Sequence, residues 1–260
     1  MKYLFFDLDG TIAENDNSPS ELTRRALQEL RRRGHRTFLC TGRTLCDIYP
    51  AIASIGFDGV ISGAGANIVI NGDTLFQSLI PRPLLKETVL RMLESNISGV
   101  LEGTEQMYIV KGEVPLGWHI PMPVILRMEQ LETVQKIEKM TLHTATAAQI
   151  EPLRNFLEQY YDLYPHSNGT SCELVCKGCN KGSAIHRVLS HYHAPSQNAV
   201  AFGDSLNDCA MFQSVKTSIA MGNAPPALLN IATMVTGTIQ QEGVCQMLEQ
   251  LGFIEKLSTD

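Results

Sequence analysis

Long apolar runs are missing from this chain of 260 residues, and none approaches the roughly 20 residues that a helix needs to cross a bilayer. No signal peptide is expected either: Lys2 and a short apolar stretch are cut off by Asp7, far too early for a secretory core. Basic excess is absent, with 21 Lys and Arg against 27 Asp and Glu and a formal charge of −6. Nucleic-acid binders usually carry a basic footprint, so this balance gives no reason to expect such a partner. Neither internal repeats nor low-complexity segments occur. The seven cysteines are odd in number and scattered; without a secretion signal they read as reduced thiols of a cytoplasmic protein. What remains is an ordinary globular composition, 44% hydrophobic and 18% charged, long enough for one large domain or two smaller ones. Oligomeric state is left open.

The most informative stretch is Phe5-Phe6-Asp7-Leu8-Asp9-Gly10-Thr11. The apolar run Tyr3 to Phe6 predicts a short buried strand. It ends in two carboxylates one residue apart, which start out on the same side of an extended chain. Such a pair repels and raises its own pKa values unless a cation sits between. Mg²⁺ suits a few oxygen ligands plus a phosphate. Gly10 permits a tight turn, and Thr11 offers a hydroxyl beside it.

Along the chain, Ser18-Pro19-Ser20-Glu21 reads as a capping box opening a helix that ends at Gly34. Thr37 to Cys40 is a second strand, followed by Thr41-Gly42-Arg43 and a helix from about Leu45 to Ile55. Gly59 to Ser62 is a third strand, and Asn71-Gly72 predicts a hairpin between 67–70 and 74–77. The Pro-rich break at Ile80-Pro81-Arg82-Pro83 marks a boundary. Beyond it come a helix over 84–94 and strands at 99–102, 107–110, 140–143, 163–165 and 173–176. They are interrupted by an irregular stretch over 112–123 and a second capping box, Thr146-Ala147-Ala148-Gln149, starting a helix to about Tyr160. Asn180-Lys181-Gly182 opens another helix. Strands follow at 199–202, 217–220 and 233–236, with helices near Pro225 or Pro226 and over 242–251.

Strand–helix alternation at both ends of the chain predicts a parallel, doubly wound sheet. Such sheets bind ligands beyond the carboxyl ends of their strands. Asp7, Thr41, Ser62 and Asp204 each follow the last apolar residue of a predicted strand, so four polar groups converge on one crevice.

These signals together resemble the motif set of the haloacid dehalogenase-like superfamily. Asp7-Leu8-Asp9-Gly10-Thr11 resembles its first motif, Thr41-Gly42-Arg43 its second, Lys181-Gly182 its third and Gly203-Asp204-Ser205-Leu206-Asn207-Asp208 its fourth. The α/β insert between the second and third motifs resembles that of subclass IIB, or Cof-type, phosphatases. So do the tail segments Ala220-Met221-Gly222-Asn223-Ala224 and Glu242-Gly243-Val244. One departure is Ala64-Gly65-Ala66, where the group usually carries Asn-Gly-Ala.

The resemblance implies a Rossmann-like core over 1–81 and 181–260, with residues 82–180 as an inserted α/β cap that selects substrate. It implies Asp7 as nucleophile and Mg²⁺ ligand. Asp9 would be the acid/base, reaching the metal through its backbone carbonyl. Asp204 would complete the metal ligands, with Asp208 beside it in the metal group, binding directly or orienting the ligand shell. Thr41, Gly42, the N–H groups of Leu8 and Asp9, and Asn207 would hold phosphate. Lys181 would neutralise the transferring group, and Arg43 would steer or bind substrate.

The leading expectation is therefore a Mg²⁺-dependent phosphatase of small phosphorylated metabolites, sugar phosphates above all. The alternatives are a phosphomutase and a non-catalytic sensor of a phosphometabolite. Intact Asp7, Asp9 and Lys181 argue against the sensor. Cys172-x3-Cys176-x2-Cys179, with His166 nearby, reads as buried thiols rather than a zinc site. His186, His191 and His193 read as surface residues.

Overall fold

The computed structural model describes residues 1–14, 18–116, 122–166 and 169–257. Part of the irregular stretch expected at 112–123 lies outside the described residues. In chain order the strands are β1 (Tyr3–Phe6), β2 (Arg36–Cys40), β3 (Gly59–Ser62), β4 (Asn67–Ile70), β5 (Asp73–Gln77), β6 (Ser98–Gly103) and β7 (Met107–Val110). They continue as β8 (Val124–Ile125), β9 (Ile137–His143), β10 (Tyr161–Pro165), β11 (Ser171–Cys176), β12 (Ala199–Gly203), β13 (Thr217–Ala220) and β14 (Met234–Val235). The α-helices are α1 (Glu21–Arg32), α2 (Pro50–Ala53), α3 (Arg82–Glu94), α4 (Glu151–Tyr160), α5 (Lys181–His191), α6 (Cys209–Gln213), α7 (Pro226–Leu229) and α8 (Gly243–Gln250).

The chain divides into two compact units. The first comprises Met1–Arg43, Ile48–Phe76 and Asn180–Asp260, the second Thr44–Asp47 and Gln77–Cys179. In the first unit an eight-stranded sheet runs β14-β13-β12-β1-β2-β3-β4-β5. Its strands from β14 to β3 are parallel, and β4 turns back antiparallel on β3. This is the doubly wound α/β class that the strand–helix alternation predicts.

Period-two alternation sends successive side chains to opposite faces. Leu4, Phe6, Leu39, Val200, Phe202 and Ile219 pack on one face with Ala26, Leu27 and Leu30 of α1 and Val244 and Leu248 of α8. Tyr3, Phe5, Phe38, Cys40, Ala199 and Ala201 pack on the other with Ala184, Ile185 and Val188 of α5. Both faces are covered, which is why these strands read as unbroken apolar runs. The register places Phe6 opposite Leu39 and Phe202, so the chain leaves three adjacent strands at the same end.

The second unit holds a six-stranded sheet, order β10-β11-β9-β6-β7-β8. Pairing is antiparallel except between β7 and β8. Leu101, Met140, Leu142 and Leu174 pack with Leu85, Val89 and Met92 of α3 and with Leu153 and Leu157 of α4.

Three local expectations are corrected. The first helix begins at Glu21, because Ser20 and not Ser18 is the N-cap and accepts from Thr23 N–H at 3.0 Å. No continuous helix spans 45–55: a short 3₁₀ turn at Leu45–Asp47 precedes α2, which starts only at Pro50. Proline disfavours helical geometry in the residue before it, and Tyr49 is accordingly extended at φ −65°, ψ 148°. The box at Thr146 forms, with Gln149 Oε1 accepting Thr146 N–H at 3.4 Å and also Ala145 N–H at 2.7 Å, but it opens a 3₁₀ turn, and α4 follows from Glu151. The Asn-Gly hairpin has the predicted backbone, with φ 51° at Asn71 and 90° at Gly72.

Candidate active site

Asp7 leaves β1 buried, its N–H still donating to Phe202 O across the sheet at 2.9 Å. The chain then curls tightly: Leu8 O accepts from the N–H groups of Ile12 and Ala13 at 3.1 and 3.0 Å. Gly10 sits at φ +87°, and a Cβ there would lie 2.1 Å from Asp204 Oδ2. Glycine is thus required twice over, for the backbone angle and for the approach of Asp204.

Lys181 enters from the first turn of α5. That helix is fixed by its Asn180 cap, whose Oδ1 accepts Ser183 N–H at 2.8 Å. The Lys181 side chain is fully buried, and Nζ donates to Asp7 Oδ1 at 2.6 Å, Asp208 Oδ1 at 2.7 Å and Asn207 Oδ1 at 3.1 Å. Asp208 is held from its other side, Oδ2 accepting the N–H groups of Asp204 and Ser205 at 2.9 and 3.1 Å. Ser205 also donates its hydroxyl to Asn207 Oδ1 at 2.9 Å. Ser205 had no expected role; the Ser-x-x-Asp spacing of a capping box was its signal in the sequence.

One carboxyl oxygen of each of Asp7, Asp204 and Asp208 falls within 4.8 Å of the other two. Three carboxylates therefore share one lysine. Burial pushes the Asp7 carboxyl well up; Lys181 opposes this, while Asp208 and Asp204 add to it. Asp204 is raised to about 6, first by burial and then by Asp208. Burial alone would push Lys181 down, but Asp208 and Asp7 outweigh it and hold the ammonium well above its ordinary range. Asp204 Oδ1 is buried and accepts no hydrogen bond among the described residues. A buried, orphaned carboxylate oxygen beside two further carboxylates is the donor set a hard divalent cation takes. The residues fit Mg²⁺, with Asp7 and Asp204 offering oxygens, whereas both Asp208 oxygens are already engaged.

The remaining expected residues are near one another but not equivalent. Thr41 is buried at the end of β2, donates its N–H to Ile61 O at 2.8 Å and accepts Arg43 N–H on its hydroxyl at 3.1 Å. Thr11 Oγ1 and Ser62 Oγ are buried without a partner among the described residues. Arg43 is held within the protein by Asp9. Its Nε and Nη2 donate to Asp9 Oδ2 and Oδ1, each at 2.8 Å. Sequence alone missed this pair, because nothing local links positions 34 residues apart. The Ala64 that replaces the usual Asn lies at φ 55°, ψ 30°. That is the left-handed region Asn tolerates better than most residues.

A sequence model of the haloacid dehalogenase-like hydrolases matches residues 4–248. YkrA of Bacillus subtilis (strain 168), which bears a provisional phosphatase name, is 28% identical over 98% of this chain and 99% of its own. The 5-amino-6-(5-phospho-D-ribitylamino)uracil phosphatase YcsE of the same organism is 25% identical over 95% of this chain and 94% of its own. Among solved structures, the subclass IIB sugar phosphatase BT4131 superposes with a TM-score of 0.81 at 20% identity, covering 98% of this chain and all of that one. The resemblance drawn from the four motifs is borne out: this chain is an enzyme of the haloacid dehalogenase-like hydrolase family.

Proposed function

We propose that this enzyme hydrolyses small phosphorylated metabolites, sugar and polyol phosphates among them, through a phosphoryl group carried on Asp7. The observation that carries the reading is the Asp7–Lys181 pair at 2.6 Å beside the orphaned oxygen of Asp204. Lys181 favours the ionised form of Asp7 against the burial that opposes it, as a carboxylate nucleophile needs, and offsets charge on the transferring group. One Asp7 oxygen attacks phosphorus while the bond to the leaving oxygen breaks, and Asp9 delivers a proton to that oxygen. Asp9, now a carboxylate, takes a proton from water; the water oxygen attacks phosphorus and the bond to Asp7 breaks. Mg²⁺, held by Asp7 and Asp204, would supply neutralisation of the phosphoryl charge when bound. Asp208 orients Lys181 and the Asp204 backbone. Thr41, Asn207, Gly42 and the N–H groups of Leu8 and Asp9 hold phosphate oxygens.

The ribityl phosphate in the name of YcsE supports a polyol phosphate as substrate class. All candidates share the phosphate, so discrimination among leaving groups falls to residues 82–180, with the core at 1–81 and 181–260. All seven cysteines are free thiols, in keeping with a cytoplasmic setting. Among the described residues no helix is long and apolar enough to cross a membrane.

The test is phosphate release over a metabolite panel, with and without Mg²⁺, using Asp7→Asn as control. Turnover should need both the cation and Asp7. A panel giving isomerised phosphate esters without free phosphate would favour a phosphomutase instead. Exchanging 82–180 for the same segment of a relative should transfer the kcat/KM ranking among substrates; an active chimera with the parent's ranking would place specificity in the core.

A further inference from the structure

Arg43 grips Asp9 with two of its three guanidinium nitrogens. The third, Nη1, donates to the Tyr49 hydroxyl at 2.6 Å, and the guanidinium carbon lies 4.8 Å from the centre of the Tyr49 ring. Tyr49 is itself anchored. Its carbonyl accepts the N–H groups of Ile52 and Ala53, both at 3.0 Å, at the N-terminus of α2. Its ring packs against the core cluster of Leu4, Phe6 and Leu27. Asp9, Arg43 and Tyr49 all lie in the first unit.

A guanidinium on a long, flexible stem does not by itself fix the carboxylate it holds. It does so when its own plane is fixed, and here a phenol oxygen and a ring face do that from the side opposite Asp9. We propose that Tyr49 is a positioning residue for Asp9, acting through Arg43. This rests on the phosphatase reading, in which Asp9 delivers the proton to the leaving oxygen; the oxygen that carries that proton gives up its bond from Arg43, and the other bond keeps the carboxyl in place. A general acid acts only within hydrogen-bond reach of its target, and small misplacements are costly. Tyr49 is six residues from Arg43 and in a different structural element, and no motif marks it.

The proposal has a chemical signature. A poor leaving group needs the proton in the transition state, whereas p-nitrophenolate leaves with little help. Tyr49→Phe keeps the ring and the backbone anchor and removes only the hydroxyl. With Mg²⁺ present, its kcat/KM for phenyl phosphate should fall about fivefold to tenfold, a fraction of what general acid catalysis contributes. Its kcat/KM for p-nitrophenyl phosphate should change by less than about twofold on the same reasoning. Tyr49→Leu, lacking the ring too, should widen the gap between the two substrates. Equal losses on both, as a structural defect would give, or no loss on phenyl phosphate, would overturn the proposal. Failure of the underlying reading looks different: wild type would hydrolyse neither ester, or Asp7→Asn would still hydrolyse p-nitrophenyl phosphate, and both readings would then fall.

Discussion

Two lysines of this chain are buried between pairs of carboxylates, one in each unit. Lys181 lies between Asp7 and Asp208 at 2.6 and 2.7 Å. Lys139, on β9, lies between Glu102 and Glu173 at 3.2 and 3.1 Å. The second cluster is closed. Glu102 Oε1 also accepts the Thr141 hydroxyl at 2.6 Å, and Glu173 meets His166 at 3.4 Å. Among the described residues, no buried side-chain nitrogen or oxygen of Lys139, Glu102 or Glu173 lacks a partner. The first cluster is open, since Asp204 adds a third carboxylate with an orphaned oxygen. A buried lysine between acids is therefore not what marks a reacting centre here. What sets the first cluster apart is surplus negative charge with an unfilled acceptor, the donor set a hard cation takes.

The comparison breaks most sharply on removing each lysine. Lys181→Met should lower kcat at least about 10³-fold, because charge neutralisation is the main aid to phosphoryl transfer. Lys139→Met should leave turnover of p-nitrophenyl phosphate within about threefold. It should instead destabilise the protein by about 3–5 kcal/mol in chemical denaturation, because two buried carboxylates lose their cation. Comparable kcat losses in the two variants would abolish the distinction.

Metal binding sharpens it next. Chelator should remove activity and Mg²⁺ restore it, while Ca²⁺, with looser geometry and more ligands, should inhibit. Mg²⁺ at a hundredfold excess over its Kd should stabilise the wild type by about 2.7 kcal/mol. Asp204→Asn should lose that gain in thermal unfolding, and Glu173→Gln should keep it. A Mg²⁺-dependent shift that survives Asp204→Asn would put the cation elsewhere.

Acid sensitivity should be the reverse. Burial pushes Glu173 up, but Lys139 and His166 outweigh it and hold the carboxyl at about 2. A group whose folded pKa is depressed contributes stability above its unfolded value, and this is lost as pH falls toward the folded one. Glu102 has the opposite sign, since burial, only partly offset by Lys139, raises its carboxyl. The stability difference between wild type and Glu173→Gln should thus be largest above the ordinary glutamate value. It should be of the order of 2 kcal/mol after allowing for coupling, and shrink as pH approaches 2. A difference independent of pH would show that the ion pair is not what holds Glu173.

The smallest effect is expected at Ala64, which holds a left-handed backbone in the first unit. Ala64→Gly should raise stability by about 0.5–1 kcal/mol, relief of the Cβ clash being partly offset by unfolded-chain entropy. A loss of stability would mean that the methyl group's packing outweighs the strain.

Much of the first unit was legible because parallel strands covered on both faces are apolar runs that stop abruptly. The residues after those stops, Asp7, Thr41 and Asp204, mark the end of the sheet where ligands bind. The Asn71-Gly72 turn was legible for a similar reason, its backbone angles being demanded by residue type. The order β10-β11-β9-β6-β7-β8 was not, because antiparallel pairing follows from contacts distant in sequence. The break at Tyr49-Pro50 was readable in principle from the proline, but the apolar residues around it suggested a continuous helix. The roles of Asp208 and Arg43 were half legible. Their residue types fit the motifs, yet only the fold shows that Asp208 is occupied by Lys181 and two N–H groups, and Arg43 by Asp9 and Tyr49.

The central claim, that Asp7 is the nucleophile of an open carboxylate cluster completed by a cation, is tested most directly by a crystal structure grown with Mg²⁺ and beryllium fluoride. The account predicts a fluoroberyllate bonded to a carboxyl oxygen of Asp7, with Mg²⁺ in contact with Asp7 and Asp204 and with Lys181 Nζ facing the fluorides. An adduct on another residue, or a cation bound away from Asp204, would contradict it.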